Sequence, residues 1–136
     1  MKILFDTNIL LDFLLQREPF FTEVAPLFKA IATGQIIGHV TATTITDIFY
    51  IARKHTKSIV KARQSIATIL VSFDICPIDR YIIEAAYHSD ISDFEDAVQI
   101  FAAIAQDVDA IVTRDRHDFE NSPLPIYSPT ELLEQI

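Results

Sequence analysis

Four short runs of this chain, KILFD (2–6), IIGHVTA (36–42), FDICPI (73–78) and DAIVT (109–113), are strand-like and nearly all apolar, and longer stretches with helical spacing separate them. A strand apolar on both sides must be covered on both faces, which excludes a sheet with one wet face. Strands joined through helices pair in parallel. The pattern therefore predicts an open, doubly wound α/β domain. LPIYS (124–128) adds an edge strand, since Pro125 within it and Pro123 and Pro129 around it cannot donate to a ladder.

The helices carry their own punctuation. NILLDFLLQR follows the first strand directly, and FTEVAPLFKAIATG places Val24, Leu27, Phe28 and Ile31 on one stripe, with Pro26 near its start or bending it and Gly34 at its end. A helix runs from Thr43 through TTITDIFYIARKH. Ser58 caps IVKARQSIATILVSF, and Asp79 opens RYIIEAAYHS. Ser92 with Glu95 has capping-box spacing before DAVQIFAAIAQ, as does Ser128 with Glu131 around Pro129.

With 136 residues, half of them apolar and only two glycines, the chain suffices for one core and reads as a single domain, residues 1–136. The lone Cys76 forms no internal disulfide, ILF before Asp6 is too short for a secretory segment, and no run approaches a membrane span. The cytoplasm is the expected compartment. A net charge of −8 repels polyanions on average, yet the charge is unevenly spread. Ile48 to Phe73 contains no acid and holds Arg53, Lys54, Lys57, Lys61 and Arg63, whereas Asp90 to Glu120 holds nine acids against Arg114 and Arg116.

In a doubly wound sheet the ligand crevice lies beyond the carboxyl ends of the strands. Asp6 ends the first strand and Asp115 lies two residues past the fourth. An acid at position 6 also suits a helix cap, and the sequence leaves both roles open. Asp47 is embedded in TITDIFYI, between residues that seek burial, so it needs a hydrogen-bond partner such as a threonine hydroxyl, a counter-charge or a metal. Asp93 and Asp96 stand one turn apart at a helix start, where the dipole favours acids and where Asp96 meets the edge of the core. Four acids from four elements repel one another if they meet. A divalent cation resolves that repulsion, and oxygen ligands without cysteine or histidine suit Mg²⁺ or Mn²⁺.

These segments resemble the PIN-domain ribonucleases, whose best-known members are the toxins of bacterial and archaeal toxin–antitoxin pairs. FDTNILLDFLL is similar to the strand with the first acid, TATTITDIFYIARK to the second-acid helix, and DFEDAVQIFAAIAQDVDAIVTRDRHDF to the segment with the third and fourth; PIYSPTELL fits the ending. The resemblance spans nearly the whole chain. It implies a three-layer α/β/α sandwich with a central, mainly parallel sheet of four to five strands. It also implies catalytic, metal-binding acids at Asp6, Asp47, Asp96 and Asp115, an auxiliary acid at Asp93, and supporting polar groups at Asn8 and Thr113. Many toxin members carry glutamate as the second acid, and here it is Asp47, one methylene shorter.

The implied activity is Mg²⁺- or Mn²⁺-dependent endonucleolytic hydrolysis of RNA, leaving a 5′-phosphate and a 3′-hydroxyl. Expected partners are RNA, an antitoxin protein and a second copy of the chain, with no membrane. Because acids repel RNA, its phosphates are assigned to bases elsewhere: Arg53, Lys54, Lys57 and Arg114. His39, His55, His88 and His117 are too scattered for a histidine-centred ribonuclease. An aspartyl-phosphate enzyme wants a second aspartate at position 8, which is Asn8, and a receiver domain wants a late lysine, whereas none follows Lys61. A PIN-like RNA- or protein-binding module with weak or no catalysis is the remaining alternative.

Overall fold

A computed structural model describes residues 1–136. In chain order the elements are β1 (Lys2–Phe5), α1 (Thr7–Leu14), α2 (Phe20–Ala32), β2 (Ile37–Thr41), α3 (Ala42–Thr56), α4 (Ile59–Ser72), β3 (Asp74–Cys76), α5 (Arg80–His88), α6 (Phe94–Ala105), β4 (Ala110–Val112), a 3₁₀ turn (Arg116–Phe119), β5 (Ile126–Tyr127) and α7 (Pro129–Gln135). The sheet order is β3-β2-β1-β4-β5, and every pairing is parallel. The expected three-layer sandwich is what the chain forms.

Alternation along β1 explains why its sequence is continuously apolar. Ile3 and Phe5 enter one core, with residues from α1, α2, α3, α4 and α7, while Leu4 enters the other, with α5 and α6. All three are fully buried, and at about 1.5–3 kcal/mol each they anchor the centre of the sheet. Phe5, Phe28 and Phe73 meet edge-on, with centroids 5.2–5.9 Å apart. Gly38 in β2 makes room for this cluster, since a Cβ there would lie 2.6 Å from the Phe73 ring and 2.9 Å from Ile31.

From β1 the chain builds outward to β2 and β3, then returns to place β4 on the other side of β1. Here the winding reverses. The segment after β1 turns into the α1 layer, while the 3₁₀ turn after β4 sends Phe119 into the opposite core. A crevice opens between the two exits.

Most helix ends follow the expected caps: Ser58, Asp79 and Ser128 each accept a backbone N–H, and Ser128 with Glu131 completes a capping box. Helix α6 differs. Its cap is Asp93, not Ser92, because the Asp93 carboxylate accepts the Asp96 N–H at 3.0 Å. Glu95 turns toward Asp47 instead of closing a box on Ser92. No helix is long and apolar enough to cross a membrane.

Candidate metal centre

Asp6 is the innermost acid. Its backbone N–H continues the β1–β4 ladder to Val112 O at 3.1 Å, so it stands where the strand stops and α1 begins. Only 7% exposed, it needs partners for both oxygens. Oδ1 accepts the Thr7 N–H at 2.8 Å and, more weakly, Gln99 Nε2 at 3.4 Å; Oδ2 accepts the Thr113 hydroxyl at 2.8 Å. Burial raises its pKa, these hydrogen bonds oppose the rise, and the charge of Asp115 adds to it. Both roles open for Asp6 in the sequence, helix cap and wall of the crevice, are filled at once.

The other acids arrive on helix faces. Helix α3 is capped by Thr41, which accepts the Thr44 N–H at 3.3 Å, and the Thr44 hydroxyl lies 3.0 Å from that of Thr7, tying α3 to the start of α1. Two turns into α3, Asp47 faces Glu95 from α6, within hydrogen-bonding reach. Asp96 follows on α6. Together Asp6, Asp47, Asp93, Glu95, Asp96 and Asp118 line one cavity of about 460 Å³, with Thr7, Asn8, Tyr50, Ile51 and Gln99, and no basic side chain lines it.

Six carboxylates share this cavity without a counter-charge, and two of them respond strongly. The hydrogen bond to Asp47 pushes Glu95 up to about 7, with burial and the charges of Asp47, Asp93 and Asp6 adding to it. Burial, followed by the charges of Asp93, Asp118 and Asp6, pushes Asp96 up to about 7 as well. In the chain alone no three acids close into a ready chelate. Near neutral pH Glu95 and Asp96 relieve the repulsion by holding protons part of the time. The donor set is all oxygen and strongly anionic, which fits a hard divalent ion that keeps some of its waters.

The PIN domain profile matches residues 2–117. The chain belongs to the PIN domain family. A comparison with curated proteins finds no match. Among solved structures, this PIN domain is similar to a chain of a toxin–antitoxin complex from Klebsiella pneumoniae, with 22% identity and TM-score 0.69 over 93% of this chain and 97% of that one. VapBC2 from Rickettsia felis bound to a promoter DNA fragment matches with 15% identity and TM-score 0.66, over 94% and 98%. FitAB bound to a DNA fragment matches with 18% identity and TM-score 0.67, over 93% and 94%. At these identities the likeness is one of fold.

Of the acids assigned by resemblance, the PIN domain gathers Asp6, Asp47, Asp96 and the auxiliary Asp93 around one cavity, with Asn8 in the wall and Thr113 bonded to Asp6. Asp115 stands just outside the lining. Its N–H donates to the Thr113 hydroxyl at 3.0 Å and its charge is felt at Asp6, while Asp118 from the 3₁₀ turn takes the place in the wall. Arg53, Lys54 and Lys57 are exposed at the end of α3 and make no ion pair.

Arg114 is placed differently from the expectation. Its Nε donates to Asp12 Oδ2 at 2.9 Å and its guanidinium lies 4.1 Å from the centroid of the Phe20 ring. Asp12, fully buried, also binds Arg17 at 2.8 Å. Arg114 is thus engaged by the protein itself while its side chain stays 28% exposed. The sequence offers Glu95 only as a capping-box partner, and Gln99 and Asp118 in no site role; all three line the cavity. The spacing of α6 could have indicated Gln99, since it lies one turn beyond Glu95 and Asp96 and one turn before the buried Ala102 and Ala103, where a polar side chain joins the acids to the core.

Proposed function

We propose that this PIN domain is an endoribonuclease dependent on Mg²⁺ or Mn²⁺, and that it acts as the toxin of a toxin–antitoxin pair. The observation that carries this reading is the cavity itself, walled by six carboxylates with no base among them. Asp6, Asp47 and Asp96 would hold the cation, with Asp115, Asp93, Glu95 and Asp118 at its margin. A divalent ion bound there supplies Lewis-acid polarisation of phosphoryl oxygens and a water of lowered pKa. Thr113 would hold Asp6 in place through its hydrogen bond, Asn8 would stand in the wall, and the proton that Glu95 holds would have to leave for a cation to be taken up.

RNA needs a cationic track beside this acidic cavity. Along α3, Asp47, Tyr50 and Lys54 lie at i, i+3 and i+7, on one face, so Lys54 continues the cavity wall outward with an exposed tyrosine between. Arg53 and Lys57 widen the cationic rim. Partner surfaces are offered by exposed apolar residues: Val60 and Val71 share a face of α4, and Tyr81 and Tyr87 are exposed on α5. The toxin reading is supported by the likeness to a chain from a complex described as a toxin–antitoxin complex.

The test is cleavage of a labelled RNA pool by the parent, Asp6→Asn and Asp96→Asn, with Mg²⁺, Mn²⁺ or EDTA. Cleavage by the parent with metal only, leaving 5′-phosphate ends and lost in both variants, is expected. Cutting in EDTA, or unchanged cutting by either variant, refutes the assignment. Absence of both cutting and metal uptake would leave a binding module. Growth arrest on expression, relieved by co-expressing the adjacent gene's product, tests the toxin role.

A further inference from the structure

Gln99 lies on α6 one turn beyond Asp96, is 2% exposed and lines the same cavity. Its Nε2 points to Asp6 Oδ1 at 3.4 Å. Its Oε1 has no hydrogen-bond partner, and it is the only buried side-chain N or O atom of the chain in that condition. Rotating the amide by half a turn does not help, because Oε1 would then face a carboxylate oxygen, acceptor against acceptor. The geometry therefore leaves a buried neutral acceptor without a donor, on a residue that lines the acidic cavity.

A glutamine is costly to bury half-satisfied unless something meets it. Substrate groups reach the rim, where Tyr50 is 69% exposed, before they reach Gln99. A small donor that goes deeper is a water of a cation's hydration shell, since Mg²⁺ keeps several of its waters and their O–H groups are polarised. The terminal amide torsion of glutamine is broad, so Oε1 can meet that water without any movement of α6. We infer that Gln99 is a positioning residue of the cation site, donating to Asp6 through Nε2 and accepting, through Oε1, a hydrogen bond from a water of the ion held by Asp6 and Asp96. The inference rests on the metal-dependent reading above.

Calorimetric titration with Mn²⁺ at pH 8 tests it on the full chain, with folding checked by circular dichroism. Gln99→Met keeps the volume and removes both polar ends; Gln99→Glu removes the donor but keeps an acceptor. The Met variant should bind Mn²⁺ about tenfold more weakly than the parent, the loss typical when a ligand's supporting hydrogen bond is removed. The Glu variant should bind as tightly as the parent or more tightly. Parental affinity in the Met variant overturns the inference, and so does equal weakening in both, which would reduce Gln99 to a donor for Asp6. Should the Met variant fail to fold, weakened binding by the Glu variant overturns it alone. A parent that takes up no Mn²⁺ removes the metal reading itself and this inference with it.

Discussion

Replacing Asp96 with asparagine should make the ion-free protein more stable and the metal-loaded protein less so. The folded chain raises the Asp96 carboxyl from 3.8 to about 7, so it binds that proton more tightly than the unfolded chain does. Stability is then fully present below about pH 4 and is lost as pH rises toward 7. Three pH units correspond to about 4 kcal/mol as a ceiling. Asp96 is only half-buried, so solvent screening reduces this to about 1–2 kcal/mol. Asparagine gives up an acid at the start of α6, a loss of about 0.3–1 kcal/mol. The net gain is about 1 kcal/mol, or roughly 3–4 °C in a chain of this size.

Calorimetric melts in EDTA at pH 8 should show that gain, and melts at pH 5, where the parent already holds the proton, should not. Saturating Mn²⁺ should reverse the order, because a ligand at a hundred times its Kd adds about 2.7 kcal/mol to the parent and less to a variant that binds poorly. An asparagine variant that melts lower than the parent in EDTA at pH 8, or that keeps the same advantage at pH 5, would refute the idea that burial and neighbouring carboxylates make the charged Asp96 costly to the fold.

Three further substitutions probe the supports of the cavity and of the sheet. Thr113→Val keeps the shape but removes the 2.8 Å hydrogen bond to Asp6; a loss of about 1–3 kcal/mol is expected in urea unfolding, and an unmoved midpoint would contradict it. Asp12→Ala strips Arg17 and Arg114 of the carboxylate they share at 2.8 and 2.9 Å. Because both arginines can still reach water, a cost of roughly 2–4 kcal/mol is expected, at the lower end for a broken buried pair, with faster amide exchange at residues 113–115. Gly38→Ala forces a methyl group against the Phe73 ring and should lower stability by about 1–3 kcal/mol through overpacking; unchanged melting would mean that the aromatic cluster moves aside freely.

The strands could be read from sequence because burial on both faces leaves a run with no polar beat, and β1 is such a run. Helix starts could be read where a serine or aspartate was the only acceptor on offer, as at Ser58 and Asp79. At α6 two candidates stood side by side, and the aspartate took the role because its carboxylate reaches the Asp96 N–H while Glu95 is drawn to Asp47. Asp115 and Asp118 could not be ranked in advance, since a 3₁₀ turn swings the second into the wall while the first stays behind it. Arg114 was illegible for another reason. Its partner, Asp12, is 102 residues away, and no local pattern marks that pairing.

Asp6 has a consequence for how chains of this kind can change. The same carboxylate that walls the cavity also starts a helix, and asparagine caps helices as well as aspartate does. One altered base in its codon would therefore silence the chemistry while leaving the architecture standing. A lineage can thus lose the proposed reactivity in a single step and still inherit a sound scaffold, free to be kept for whatever else it grips.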